Sequence, residues 1–237
     1  MTYQVTLRNI HAALLLGSST RRIRDDVIKL MREEAERQER QSESDMVAQK
    51  HPLGFFVCKW TLDQDRSLRL HLWSKNFNWA QEPGWEIHDH IFSFSSLLLL
   101  GSLRNRVYDL DETPIDTNEY SVYEVLYNGS QSSMKLARAG VELRVRADKT
   151  ELTGTLYSMD SGILHSSDLV SNTALTVLAT SVEATNPIVP RVISAHRSPQ
   201  LVNFERSPPV ASHVANLLME FAQHLDDTPS FEETNPN

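Results

Sequence analysis

The sequence predicts a mainly β protein, an antiparallel sandwich or barrel flanked by helices at both ends. About nine or ten short strand-like runs follow one another in the middle of the chain, broken by Gly, Asn, Asp and Pro, a spacing typical of antiparallel sandwiches and barrels. Helical periodicity is confined to the two ends. With 237 residues, of which 40% are hydrophobic, the chain can bury a substantial core.

The N-terminal part, residues 1–50, is predicted to be a helical segment packed on the barrel. Residues 3–16 fit either a strand or a short helix. The stretch from Arg21 to about Arg40 is strongly helical and follows a candidate N-cap at Ser18 to Thr20. Its apolar residues recur at helical spacing. They are Ile23, Val27, Leu30 and Met31.

Residues 51–206 are predicted to form the β-barrel. The runs "FFVCKWTL" and "LRLHLWSK" are separated by "DQDRS", which indicates a hairpin. Residues 207–237 are predicted to form a C-terminal helix and a frayed tail. The helix is indicated by the spacing of apolar residues in "SPPVASHVANLLMEFAQHLDD", and the pair of prolines suits a helix start.

Composition excludes several classes of function. The formal net charge of −8 argues against a nucleic-acid partner, which needs clustered positive charge. No apolar run approaches the length of a membrane span, and no basic region precedes the apolar patch near the N-terminus, so we expect no signal peptide. Cys58 is the single cysteine, which excludes an internal disulfide and favours a cytoplasmic location.

The run "EIHDHIFSFSSLLLL" suggests chemistry, because it holds two histidines one residue apart. On a strand, His88 and His90 would point to the same side and Asp89 to the other. This pair alone is a weak signal for a metal, and two half-exposed strand histidines are the favoured alternative. A later run, "GTLYSMDSGILHSS", offers Gly162 for a tight turn that would deliver His165 from a neighbouring strand.

These two runs resemble the paired motifs of the cupin superfamily over about Phe55 to Ala184. The first motif, G-x5-H-x-H-x3/4-E-x6-G, is matched by Gly84, His88, His90 and Gly101, with a shortened first spacer. The second, G-x5-P-x-G-x2-H-x3-N, is matched by Gly154, Gly162 and His165, with Asp160 in the proline position. The resemblance implies a double-stranded β-helix, or jelly-roll barrel, in which His88, His90 and His165 hold a metal.

The chain departs from the first motif at its glutamate, because Phe94 and Ser95 occupy the expected positions. The site would therefore consist of three neutral imidazoles. In this respect the chain resembles the three-histidine thiol dioxygenases, such as cysteine dioxygenase. Iron(II) is the first choice of metal by ligand type, and zinc, nickel, manganese and copper stay open because imidazole suits several of them.

Two further residues are candidates for catalysis. Ser95 replaces a ligand and is expected to point inward, where it could hydrogen-bond a ligand of the metal. Lys59 is similar in place to the arginine that holds the substrate carboxylate in the dioxygenases, although an ordinary edge-strand lysine is an alternative. The family's serine–histidine–tyrosine relay is not matched, since Leu178 and Thr180 stand where a histidine and a tyrosine are expected.

Three other side chains receive weaker interpretations. His71 alternates with core leucines, so that it either lines the barrel mouth or, as we favour, is a structural histidine. Tyr157, which precedes His165, can serve as an outer hydroxyl near the metal. His51 has no constellation of polar residues around it.

The sequence thus predicts a non-haem iron(II)-dependent oxygenase that oxidises a small, anionic molecule with dioxygen. The alternatives are a cupin isomerase, lyase or hydrolase whose metal acts only as a Lewis acid, and a non-catalytic cupin that binds a small molecule. We expect no nucleic-acid or membrane partner. A homodimer that pairs through edge strands is expected.

Overall fold

The strands occupy the middle of the chain and the helices its two ends. The computed structural model describes residues 3–18, 20–77, 85–111, 120–128, 131–183, 188–195, 201–205 and 211–228. Within these ranges the helices are α1 (Tyr3–Leu15), α2 (Thr20–Glu39) and α3 (Ala211–Asp227). None of them combines the length and the apolar character that a membrane crossing requires.

The described strands are short, apart from one long strand that bends through the second sheet. They are β1 (Met46–Lys50), β2 (Phe56–Thr61), β3 (Arg66–Ser74), β4 (Ile87–His88), β5 (Phe92–Leu100), β6 (Ser102–Asp111), β7 (Tyr120–Asn128), β8 (Gln131–Leu152), β9 (Leu156–Met159), β10 (His165–Leu169), β11 (Thr173–Val182), β12 (Arg191–Ser194) and β13 (Leu201–Glu205).

The strands form two antiparallel sheets. The first sheet has the order β1-β2-β3-β11-β5-β9, and the second has the order β13-β8-β6-β10-β4-β12-β7, with β8 also paired to β7. Successive strands alternate between the two sheets from β3 to β6 and again from β8 to β12. The architecture is the cupin-type double-stranded β-helix, a jelly-roll barrel with flanking helices, as the sequence predicts.

The helices cover the outer face of the first sheet. Alternate side chains of β2, β3, β5 and β11 pack with α1, α2 and α3 into one buried cluster, because successive strand residues point to opposite faces. The sheet's share of this cluster includes Phe56, Trp60, Leu68, Leu70, Leu72, Leu97, Leu175 and Val177. The remaining residues of these strands face the second sheet and form the barrel interior.

The sharp turn between β5 and β6 depends on Gly101. Its φ is 80°, and a Cβ added there would lie 2.1 Å from the carbonyl oxygen of Thr173. Only glycine tolerates both the left-handed backbone and this close approach. The last glycine of the first motif is therefore explained by packing between the turn and β11.

Several sequence expectations need refinement. Residues 3–16, which fit either element, form α1, and the predicted helix after Arg21 is α2. The predicted continuous strand over 86–100 is wrong, because β4 and β5 are separate and belong to different sheets. The barrel's first strand starts at Met46, before the predicted boundary at residue 51. Gly84 and the tail after residue 228 lie outside the described residues.

Candidate metal centre

Three histidines converge inside the barrel. His88 lies in β4, His90 in the connection that follows, and His165 at the start of β10, directly opposite His88. The centroid of the His88 ring lies 4.8 Å from that of His90 and 4.6 Å from that of His165. The centroids of His90 and His165 are 5.1 Å apart. One ring nitrogen from each lies within 4.8 Å of the others, close enough to hold one metal ion together.

A turn at Gly162 brings the second motif against the first. Gly162 has a φ of 74°, which favours glycine. Its N–H donates to the carbonyl oxygen of His90 at 2.9 Å, so the segment before His165 is tied to the histidine pair. The sequence prediction that Gly162 forms the turn that delivers His165 agrees with this geometry.

Asp89 points away from the other two side chains and anchors the segment that carries them. It is 3% exposed. Its carboxylate accepts hydrogen bonds from the backbone N–H of Arg191 at 2.5 Å and from Arg191 Nε at 2.7 Å. Arg191 Nη2 also donates to the carbonyl oxygen of Gly162 at 3.1 Å. One ion pair therefore joins the segments on which all three histidines sit.

Local hydrogen bonds orient two of the imidazoles. Nδ1 of His88 lies 3.0 Å from the carbonyl oxygen of Glu86, and Nδ1 of His165 lies 3.0 Å from that of Ile163. Since a carbonyl only accepts, each Nδ1 carries the proton and donates it. Nε2 of both rings then keeps its lone pair for a metal, the usual role of such a carbonyl partner.

Burial keeps the three rings neutral. It lowers the pKa of His165 to about 3, helped by the nearby His88. Burial also lowers the pKa of His88, and it holds that of His90 well below the usual value, helped by charge on His88 and His165. Because the metal-binding form of histidine is neutral, the cluster fits a divalent metal across the physiological pH range.

The histidines line a cavity of about 910 Å³ between the two sheets. Its walls are largely aromatic and apolar, which is typical of small-molecule sites. The apolar lining includes Phe55, Trp73, Trp85, Phe92, Phe94 and Leu178.

Of the lysines and arginines that line this cavity, two lie side by side on neighbouring strands. Lys59 of β2 and Arg69 of β3 are directly paired across the strands, and both line the cavity. The guanidinium of Arg69 lies 4.1 Å from the centroid of the Phe92 ring, which itself stacks on His90 at 4.6 Å. Burial and the Arg69 charge lower the pKa of Lys59. Lys59 thus has the expected inward direction, and Arg69, which sequence reasoning overlooked, is a second candidate anchor.

Two more histidines line the same cavity. The His71 side chain points inward beside Arg69, and burial, Arg69 and His88 lower its pKa to about 3. The His51 ring stacks on Phe55 at 4.2 Å and lies 6.3 Å from the His88 ring. The structure therefore places His71 in the cavity lining, the alternative that the sequence disfavoured. His51 lies near His88, which its sequence context did not indicate.

The inward direction predicted for Ser95 is wrong. Its hydroxyl lies 2.9 Å from that of Ser158, and Ser95 shares its strand face with Leu97 and Leu99, which pack on the helices. The cavity receives Phe94 instead, whose ring lies 6.2 Å from that of His165. An aromatic ring thus occupies the wall where the acidic ligand was expected, and the group of ligands that the described residues bring together contains only histidines.

The fold and this cluster define a cupin-type barrel with a candidate three-histidine metal centre. No family model and no curated protein matches the chain. Solved structures that match include Bacillus subtilis oxalate decarboxylase at pH 4.6, with 14% identity over 62% of this chain and 29% of that chain, at a TM-score of 0.36.

A Lactobacillus farciminis oxalate decarboxylase formate complex matches with 15% identity over 60% of this chain and 32% of that chain, at a TM-score of 0.35. A Bacillus subtilis oxalate decarboxylase studied for its Mn(II) centres matches with 13% identity. This match covers 60% of this chain and 29% of that chain, at a TM-score of 0.34. The alignments span about a third or less of the length of these decarboxylases.

Proposed function

We propose that the chain is a divalent-metal enzyme that acts on a small anionic molecule held between the three histidines and the Lys59–Arg69 pair. The observation that carries the proposal is the convergence of the half-buried His88 and His90 with the buried His165 on the wall of a cavity that also holds these cations. A ligand set without a carboxylate leaves the full charge of the metal to attract an anion.

We propose iron(II) as the metal and oxidation by dioxygen as the reaction. Three ligands on one side leave open positions for a substrate and for dioxygen, and bound iron(II) would activate dioxygen for reaction with the substrate, which is the net reductant. This ligand set is the feature by which the chain resembles the three-histidine dioxygenases. Manganese, zinc, nickel and copper stay open, since imidazole binds each of them.

The chain's own residues would bind and orient the substrate. Arg69 presents a planar, fixed set of donors, which suits a carboxylate, and Lys59 adds a point charge beside it. Both side chains are partly buried, which strengthens their contacts with an anion relative to contacts in bulk water. The carbonyl partners of His88 and His165 hold two rings in the tautomer that faces the cavity.

The substrate is proposed to be larger than cysteine. A cavity of about 910 Å³ with aromatic walls matches a molecule of the size of a typical small-molecule ligand. The relay expected of cysteine dioxygenase is also missing, because Leu178 and Thr180 occupy its positions and the Thr180 hydroxyl lies 2.6 Å from that of Ser67.

A metal-dependent lyase is the second candidate. Arg69 and Lys59 could hold an acid group against a metal that polarises it, and this Lewis-acid chemistry needs no dioxygen. A binding protein without catalysis is the third. Oxygen uptake by the iron(II)-loaded protein with a panel of aromatic, keto and thiol acids separates them. Uptake that requires both acid and protein supports the oxygenase, whereas anaerobic conversion of an acid supports the lyase.

A variant shows whether either reaction depends on the histidines. His165→Ala should abolish oxygen uptake or anaerobic conversion, whichever the native protein shows. His224→Ala, which changes a histidine on α3, should leave that activity unchanged. Binding of an acid without conversion under air or argon would support the binding protein.

The proposed homodimer through an edge strand is tested by light scattering of the purified protein, and the cytoplasmic location stays a prediction.

A further inference from the structure

A second polar group of side chains lies in the barrel interior, away from the cations. It consists of Ser96 on β5, Tyr157 on β9, Asn105 on β6 and Ser167 on β10, which we call the inner recess. Ser96 pairs with Tyr157 across the first sheet, and Asn105 pairs with Ser167 across the second. Tyr157 and Ser167 line the cavity, so the inner recess is reached from the same space as the histidines.

Two buried donors of the inner recess act on the Tyr157 phenol. Ser96 is 0% exposed and Asn105 is 7% exposed, and Ser96 Oγ and Asn105 Nδ2 have no closer partner than this phenol. The Ser167 hydroxyl donates to Asn105 Oδ1 at 2.7 Å, which fixes the amide orientation and leaves its NH₂ group to donate towards Tyr157. Buried donors of this kind normally have a partner. Because both donate to the phenol oxygen, the Tyr157 hydroxyl keeps its own proton to donate to an oxygen atom in the cavity.

The charge around the inner recess favours an uncharged oxygen. Glu151 is 4% exposed, and its carboxylate lies 3.0 Å from the exposed Lys149 ammonium. Burial, together with the Glu151 charge, raises the pKa of Tyr157, while Ser96 and Asn105 oppose this shift. Tyr157 is thus a neutral phenol that can donate. A carboxylate would meet the negative charge of Glu151, whereas a hydroxyl or carbonyl group would not.

The inner recess and the cationic pair lie towards opposite ends of one wall of the cavity. Arg69, Leu178, Ser96 and Tyr157 occupy one row of neighbouring strands in the first sheet. Three strand spacings separate Arg69 from Tyr157, about 14 Å between backbones. The side chains at both ends point inward and shorten this gap to the length of a small aromatic acid. The Phe94 ring lies 6.2 Å from the rings of both Tyr157 and His165.

We propose that the inner recess is a second substrate subsite, which receives an uncharged hydroxyl or carbonyl oxygen of an acid whose carboxylate lies at Arg69 and Lys59. The subsite rests on the proposed function for the position of the acid group. It defines the substrate class as acids of aromatic or similar length that carry an oxygen function at the end opposite the carboxylate.

Calorimetric titration with matched acids tests this subsite. The probes are para-hydroxyphenylacetate, para-hydroxyphenylpropanoate and para-hydroxyphenylbutanoate, each paired with its unhydroxylated parent, and the protein is loaded with zinc(II) to prevent turnover. At one chain length or more, the hydroxylated acid should bind about fivefold tighter, the effect of one added hydrogen bond. Tyr157→Phe and Asn105→Leu should bring this ratio close to one while the parent acid binds unchanged.

Ser158→Ala is the matched control, because Ser158 is exposed and neighbours Tyr157 on the opposite strand face. It should keep the preference for the hydroxyl. Three results would overturn the subsite. The native protein binds both acids of every pair equally, it binds none of the acids, or its preference for the hydroxylated acid survives both variants. The titration is repeated on chelator-treated protein. If the protein takes up no metal, the proposed metal centre is refuted. If the metal-free protein still prefers the hydroxylated acids, the subsite stands independently of it.

Discussion

Arg69 and Lys59 face each other inside a largely aromatic cavity, so water solvates their charges incompletely. Burial and the Arg69 charge lower the pKa of Lys59, and Arg69 Nε also donates to Ser67 Oγ at 3.3 Å. An anion beside the pair would interact favourably with both cations. At the scale of single residues, this pair is therefore the strongest indication of what the cavity binds.

Replacing Arg69 with Met should weaken the binding of small carboxylic acids about tenfold or more, because a charged hydrogen bond is lost while the side-chain volume is kept. The measurement is calorimetric titration with the parent acids. Arg104→Met is the control, since Arg104 lies on the outer surface and pairs with Asp148 at 2.7 Å. Equal loss in both variants, or no loss in either, would contradict the role of Arg69.

The connection between β4 and β5 sets the geometry of the centre at the scale of elements. His88 ends β4, and His90 lies before β5, which belongs to the other sheet. The segment thus crosses the barrel at the histidines. Asp89 holds it there through Arg191, which lies beside β4 on β12. The Asp89–Arg191 ion pair beside the histidines therefore fixes the segment from which two candidate ligands project.

Asp89→Asn should raise the dissociation constant of the metal about tenfold or more, because outer partners orient metal ligands. The measurement is competition with a chromogenic chelator, with the melting temperature recorded in parallel. Asp168→Asn is a control that removes a partly exposed ion pair with Arg106. Unchanged metal affinity in Asp89→Asn would show that the ion pair does not position the ligands.

Alternation and turn chemistry predicted much of this region. They placed His88 and His90 together, and they placed His165 after the Gly162 turn. The break between β4 and β5 could not be predicted, because it depends on a bond between Asp89 and Arg191, 102 residues apart. The wrong direction predicted for the Ser95 side chain was avoidable. Residues two apart on a strand share a face, so Phe94, four residues after His90, is the one expected to point inward.

Arg69 could also have been found from the sequence, as it alternates with Leu68 and Leu70, which are fully buried on the helix side. Its position opposite Lys59 follows from the hairpin that the sequence predicts. The inner recess could not be predicted, since Asn105 and Ser167 meet Ser96 and Tyr157 only where the two sheets close.

The helices and the first sheet share one hydrophobic core at the scale of the whole molecule. α2 packs on α3, and both bury apolar side chains in the cluster that also contains Leu68 and Leu70. The change from helix to strand, between α2 and β1, therefore lies within one hydrophobic core, and we expect the helices and the barrel to unfold as one unit. Loss of a core side chain on a helix should destabilise the barrel as well.

Leu30→Ala should lower the free energy of unfolding by about 2–5 kcal/mol, since Leu30 is fully buried and a cavity would remain. Urea denaturation, followed both by tryptophan fluorescence and by far-ultraviolet circular dichroism, measures it. Lys29→Ala, on the exposed side of α2, should change it by less than about 0.5 kcal/mol. Separate transitions for helices and strands would contradict a single unit.

Acid should destabilise the metal-free protein. The pKa values of His71 and His165 are lowered to about 3 from an ordinary value of 6.5. Between these values the unfolded chain binds more protons than the folded one, so stability falls as the pH falls from about 6.5 towards 3. The melting temperature of chelator-treated protein should therefore drop between about pH 7 and pH 5. His71→Gln should reduce the drop, and an unchanged drop would count against a neutral, buried His71.

The most direct test of the metal centre is elemental analysis of protein purified without chelators. We expect close to one equivalent of a first-row transition metal per chain in the native protein. The metal should be lost in His88→Ala, His90→Ala and His165→Ala variants that keep the native circular dichroism. Native protein that stays metal-free after exposure to iron(II), manganese(II) and zinc(II), or metal that persists in His165→Ala, would contradict the proposed metal centre.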